Sequence, residues 1–309
     1  MKWNGKEEIE DMLLPLRPTV SVLPTEFGSA TNKPLFLYRK PAYCFSIREP
    51  SPSFKSSLHC YCIKEEITDN PTEGFSALSS DIPWERGSIW STMAIYMFNL
   101  HIPLGIGGLS IVAYLWHRPV LDPQTEALSL LVIQILELTG ALLLLRTTAK
   151  PEHKLMSFFK SKKERNWVLA SAVGFGSLVL LVFLTSLLAD VLVEAKGVNN
   201  PILKEILHSS NISKTACVFV YCLITPLLEE TIYRGFLLTS LASTMNWQKA
   251  VFVSSAAFSA AHFSGENFLQ LFIIGWVLGC CYCWSGNLSS SIAIHSLYNA
   301  MILIVTFVS

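Results

Sequence analysis

Seven apolar runs constrain this chain more than any other feature: Ile89–Trp116, Ala127–Leu145, Trp167–Val193, Thr215–Leu241, Trp247–Phe263, Phe268–Trp284 and Leu288–Val308. A bilayer core about 30 Å thick is crossed by about 20 largely apolar residues in helical form. The fifth and sixth runs are shorter than that, so one of them is expected to be tilted or sheltered among the others. No alternating strand pattern of a membrane barrel is present. The sequence therefore predicts an all-α fold, a polytopic transmembrane bundle of about seven helices, with the lipid bilayer as its first partner.

Composition agrees. Of 309 residues, 51% are hydrophobic and 15% charged, against about 25% charged in an ordinary soluble domain. The 23 basic and 23 acidic side chains cancel, so no global field favours a nucleic acid. Charge is also uneven, with 22 of the 46 charged residues in residues 1–87. Three parts are expected: a tail over residues 1–80, N-terminal helices and a basic loop over 88–165, and an apolar core over 166–309.

The tail has no sustained periodicity and is rich in Pro, Ser and Thr. Between Gly28 and Ile63 it carries Lys33, Arg39, Lys40, Arg48 and Lys55 against one acid, Glu49. That is the composition of an organelle transit peptide, which predicts a multi-pass protein of a chloroplast membrane, envelope or thylakoid. The acidic start, Glu7-Glu8-Ile9-Glu10-Asp11, fits instead a cytosolic tail on an endoplasmic-reticulum membrane protein. Seven basic residues against two acids in Arg146–Arg165 place that loop on the cytosolic or stromal side.

Five of the eight cysteines, Cys217, Cys222, Cys280, Cys281 and Cys283, fall in apolar runs and read as buried thiols. Trp84, Trp90, Trp116, Trp167, Trp247 and Trp284 lie near helix ends, as interfacial anchors should. His101 and Glu137 sit at membrane depth and read as helix–helix hydrogen-bonding groups, with Glu137 an alternative cavity residue.

Only five charged residues follow Thr215, and Glu229, Glu230 and Arg234 are three of them. Each ionisable group at membrane depth costs about 2.5–3.5 kcal/mol on insertion scales, so such groups face the bundle interior and mark function. On a helix Glu230 and Arg234 are four apart and can pair, while Glu229 lies about 100° round and points elsewhere. Pro226 just before them removes a backbone hydrogen bond and favours a kink. Two further helices bring Phe258 with His262, and His295 with Asn299, again at four-residue spacing. Together these groups predict a polar cavity within the membrane.

Such groups suit hydrolysis. Burial and Arg234 act on Glu229 in opposite senses, which suits it to take a proton from water. His262 can share that water and later protonate a leaving amine. His295 and Asn299 can donate to the oxygen of a tetrahedral intermediate. No Gly-x-Ser-x-Gly motif or paired cysteine offers a covalent nucleophile. Zinc is the competing assignment for the same histidines and glutamate. The His-Glu-x-x-His signature is absent and Arg234 puts positive charge beside the proposed cation, so the expectation is a site with no metal or cofactor.

These residues resemble a known family. Glu229-Glu230-Thr231-Ile232-Tyr233-Arg234 matches the Glu-Glu-x-x-x-Arg motif of the type II CAAX prenyl proteases and bacteriocin-processing proteins, also called the abortive infection family. Phe258-Ser259-Ala260-Ala261-His262 is similar to its Phe-x-x-x-His motif, and His295-Ser296-Leu297-Tyr298-Asn299 to its His-x-x-x-Asn motif. The resemblance covers about Lys214–Val308. It implies an intramembrane endopeptidase in which Glu229 and His262 activate water, His295 and Asn299 form the oxyanion site, and Glu230, Arg234 and Phe258 support the cavity. The expected substrate is a membrane-associated protein or peptide. Plastid members of similar form have no settled substrate, and the sequence assigns no oligomeric state. Two other readings use the same residues: a non-catalytic scaffold or assembly factor whose cavity binds a partner, and a proton-relay transporter, against which the absence of an inverted repeat counts.

Overall fold

The computed structural model describes residues 74–78, 82–150, 165–193 and 201–308. Residues 1–73 of the expected tail and residues 151–164 of the basic loop lie outside these residues. Among the described residues every regular element is helical, with no strand.

The first membrane segment is wound unevenly. Helix α1 (Ile89–Tyr96) runs into a stretch of wide, i→i+5 turns at Met97–Ile106, and α2 (Gly108–Leu115) follows Gly107. Pro103 lies inside the wide stretch. It has no N–H for the helical ladder, and a wide turn accommodates the missing bond. The single helix expected over Ile89–Trp116 is thus two helices joined by that stretch.

Helix α3 (Pro123–Thr148) starts by the usual rules, with Pro123 in the first turn and the Asp122 carboxylate accepting from Thr125 N at 3.0 Å. That bond holds the exposed Asp122 carboxyl below the usual carboxylate range. Then come α4 (Trp167–Val193), α5 (Pro201–Ser209) and α6 (Asn211–Phe219), the last capped by Ser210 on Ser213 N at 3.1 Å. From α6 the chain stays helical to Ala242, through wide turns at Val220–Ile224, α7 (Thr225–Glu229), wide turns at Glu230–Leu238 and α8 (Thr239–Ala242). Helices α9 (Trp247–Ala261), α10 (Phe268–Ser285) and α11 (Leu288–Val308) complete the bundle.

Six helices among the described residues are long and apolar enough to cross a membrane, and α9 is not one of them. With 15 residues it spans about 22 Å at 1.5 Å per residue. It stops at Ala261 because Phe263 adopts a left-handed φ of 50°, which ends the helical ladder one turn before Phe268 starts α10. The expected fifth span is therefore a short helix packed along α10.

Helix α10 packs on α9, α4 and α11, while α3 packs on Met97–Ile106 and on α6. The α9–α10 approach depends on Gly275 and Gly279. A β-carbon at Gly275 would lie 3.1 Å from Ser255 Cα, and one at Gly279 would lie 3.1 Å from Val251 Cγ1. Small residues four apart let two membrane helices meet at backbone distance. Large apolar side chains such as Val173, Phe183 and Ile304 are exposed on the outer faces, as expected where lipid is the solvent.

Trp90, Trp116 and Trp167 are exposed near helix ends. Trp84 is not an interfacial anchor: it is 1% exposed, donates its indole N–H to Leu145 O at 3.3 Å and meets Phe236 edge-on. An indole inside the bundle finds an acceptor at buried Leu145 in the last turn of α3, which position in the sequence did not reveal. Arg165 donates to Phe75 O and Trp284 O at 2.6 and 2.9 Å, tying the segment before α1 to the end of α10. The five described cysteines are free.

Candidate active site

The long helix from Asn211 to Ala242 is wide on both sides of Pro226, and this winding shapes the site. In the first wide stretch Thr225 N bonds back five residues to Val220 O. The next bond of that pattern would join residue 226 to Tyr221 O, but Pro226 has no N–H. Tyr221 O instead accepts from Asn299 Nδ2 of α11 at 2.8 Å. The kink proline thus creates the backbone acceptor that orients Asn299, and the second N–H of that amide remains for the cavity.

In the second wide stretch every residue from Glu230 to Leu238 is buried. Glu230 and Arg234 pair as the spacing required, with Arg234 Nη1 donating to Glu230 Oε1 at 2.8 Å. Both side chains are essentially inaccessible, so each charge depends on the other. Arg234 also donates to Gly275 O at 3.3 Å, and its guanidinium lies 4.5 Å over the Phe258 ring. Gly275 therefore serves twice, letting α10 approach α9 and exposing a carbonyl to the arginine.

The same Glu230 Oε1 takes His295 Nδ1 at 2.8 Å. A carboxylate oxygen accepts, so His295 Nδ1 carries the proton and Nε2 faces Glu229 Oε2 at 3.7 Å. His262 is fixed in the same way: Nδ1 donates to Phe258 O at 2.8 Å, and Nε2 lies 3.8 Å from Glu229 Oε1. Both imidazoles thus present Nε2 to Glu229, at distances too long for direct hydrogen bonds and suited to a shared water. Phe258 is buried and meets the His262 ring edge-on at 4.7 Å.

Glu229, His262, His295 and Asn299 all line one cavity of about 360 Å³, together with Tyr221 and Phe258. Glu230 and Arg234 do not line it; they lie behind it. Sequence reasoning missed the Tyr221 carbonyl and the cavity residues Gln134, Thr225 and Tyr298. Gln134, a polar side chain inside the apolar α3, carried a signal that could have been read. Glu137 does not line the cavity. It accepts from Tyr96 Oη at 2.9 Å and lies 2.8 Å from His101 Nδ1, which is helix–helix hydrogen bonding as expected. Among the described residues no three His, Cys, Asp or Glu side chains are grouped as a metal ion would need.

Residues 211–301, from α6 into α11, match a family model described as Type II CAAX prenyl endopeptidase Rce1-like. That segment is similar to an Rce1-like domain. The match takes in all three motifs and every cavity residue named above except Gln134. An Rce1-like domain implies a peptidase, and the six apolar spans make the chain a multi-pass membrane protein. Neither the curated proteins nor the solved structures gave a match. The helices before residue 211 lie outside the matched segment, yet α3 contributes Leu130 and Gln134 to the cavity wall of the Rce1-like domain.

Proposed function

We propose that the chain is an intramembrane endopeptidase that cleaves a membrane-associated peptide by glutamate-activated water. The observation that carries this reading is the convergence of Glu229, His262, His295 and Asn299 on one cavity. A water placed between Glu229 Oε1 and His262 Nε2 reaches both; Glu229 takes its proton as the oxygen attacks the scissile carbonyl. The new oxyanion is held by the free N–H of Asn299, and by His295 Nε2 when that ring carries its second proton. The proton taken by Glu229 passes to His262 Nε2, which faces it, and from there to the leaving amine, so that Glu229 is again ionised when the bond has broken. Glu230 and Arg234 hold His295 and take no part in proton transfer.

The plastid composition of the N-terminal tail supports a chloroplast membrane as the site of action, with the endoplasmic reticulum as the alternative. One observation favours a metal-dependent form of the reading: both imidazoles turn Nε2 toward Glu229 with Nδ1 anchored, the posture of metal-ligating histidines. Against it, no three such side chains are grouped as an ion would need among the described residues.

The test compares protein N-termini in membranes from a null background carrying either the native chain or Glu229→Gln at equal abundance. N-termini that appear only with the native chain support the reading and identify the substrate. Identical N-termini with full rescue by Glu229→Gln would favour a scaffold that uses the cavity for binding alone.

A further inference from the structure

A second buried polar cluster lies in the helices before the matched segment, and it ends on the residue next to His262. Glu137 of α3 is 1% exposed. Its Oε1 accepts from Tyr96 Oη at 2.9 Å and lies 2.8 Å from His101 Nδ1. The other nitrogen of that ring, His101 Nε2, lies 3.2 Å from Ala261 O. A β-carbon at Gly105 would stand 3.0 Å from Glu137 Oε2 and 3.2 Å from His101 Nδ1, so the bare backbone there leaves room for the pair.

The proton inventory of this chain is constrained. Ala261 O can only accept, so His101 Nε2 carries a proton. A second proton then sits between His101 Nδ1 and Glu137 Oε1, whichever atom holds it. The donor end of the pair thus points at the last carbonyl of α9.

That carbonyl is a special one. Helix α9 ends at Ala261, and its final carbonyls have no partner within the helix. Ser259 O and Ala260 O accept from the backbone N–H groups of His262 and Phe263, and Phe258 O accepts from the His262 ring. Ala261 O takes His101. A donor from a protonated pair is favourable at a helix C-terminus, where the dipole is negative. His262 itself is 31% exposed along its side chain, so packing alone does not hold it. Its ring is anchored by the Nδ1 bond to Phe258 O, and its backbone follows directly on the carbonyl that His101 engages.

We propose that the Tyr96–Glu137–His101 cluster is a positioning device for His262, acting through the Ala261 carbonyl and fixing the turn that aims Nε2 at Glu229. The part it plays in cleavage rests on the protease reading above, whereas the positioning itself does not. This gives the helices outside the Rce1-like segment a role in the site: they hold one of its two imidazoles.

The test uses the full chain in detergent, with His101→Ala and the shape-preserving Glu137→Gln. Two quantities are read. The first is the rate at which diethyl pyrocarbonate modifies His262, followed by mass spectrometry with His208 as an internal reference. The second is cleavage of a substrate peptide taken from the N-terminal comparison. Both variants are expected to change the His262 rate at least about threefold relative to His208. Both should lower kcat about 10- to 100-fold, the range for groups that orient a catalytic residue, with KM within about threefold. Either loss should disappear in a His262→Ala background, because positioning has no effect once the positioned group is gone. An unchanged His262 rate in both variants, or a loss that adds in full to that of His262→Ala, overturns the proposal. If His101→Ala does not fold, Glu137→Gln decides alone. A Glu229→Gln chain that cleaves normally sinks the protease reading and leaves the His262 rate to judge the positioning.

Discussion

His295 Nδ1 lies 2.8 Å from Glu230 Oε1, the oxygen that also receives Arg234 Nη1 at 2.8 Å. One carboxylate oxygen therefore joins α11 to the central helix and fixes which nitrogen of His295 faces the cavity. The two adjacent glutamates are assigned different work by this bond: Glu230 is consumed in holding the site together, and Glu229 is left facing the cavity.

Substitution at the two positions should separate along that line. Glu230→Ala leaves the buried Arg234 without its counter-ion and is expected to destabilise the chain by about 3–5 kcal/mol, the cost of breaking a buried ion pair. Glu229→Gln should shift the melting midpoint in detergent by no more than a degree or two, while lowering cleavage by about 10²–10⁴-fold, the contribution of a general base. Thermal unfolding and peptide cleavage on the same preparations check both. Equal stability losses at 229 and 230 would contradict the division.

Asn299→Ala removes the free N–H proposed for the oxyanion and also strands Tyr221 O. A loss of about 10²–10³ in kcat is expected, typical of deleting one oxyanion donor. Asn299→Asp should be at least as poor, since a carboxylate facing a carbonyl offers no donor. Steady-state kinetics that moved only KM would place Asn299 in substrate binding instead.

At Gly275 the nearest obstacle is backbone, Ser255 Cα, which cannot rotate away. Gly275→Leu should therefore force α10 off α9, cost about 1–3 kcal/mol as overpacking usually does, and displace Phe258 and Arg234 with it. Gly176 has nothing within 4 Å of its would-be β-carbon, so Gly176→Ala should leave both melting midpoint and cleavage unchanged. A harmless Gly275→Leu would mean that the α9–α10 contact is looser than these distances indicate.

Chelation separates the two forms of the protease reading. Cleavage should survive exhaustive treatment with a zinc chelator, since the proposed mechanism takes its base and its proton carriers from side chains alone. Loss of cleavage that added zinc restores would favour the metal-dependent form.

The sequence alone determined the helical bundle and the pairing of Glu230 with Arg234. Apolar length is dictated by bilayer thickness, and the four-residue spacing of Glu230 and Arg234 fixes which carboxylate can pair. It also placed Phe258 beside His262 and set His295 and Asn299 on one helix face, because those relationships are local to a single helix. Tertiary structure decided the rest. That α9 is too short to span, that Trp84 is buried, that Tyr221 O serves Asn299 and that His101 reaches Ala261 all depend on which helices meet. No periodicity within one helix encodes the groups that a neighbouring helix will offer to it. The unpaired carbonyls left by Pro226 and by the end of α9 show the reason most directly: the sequence can say that an acceptor is freed, and only packing decides which donor comes to it.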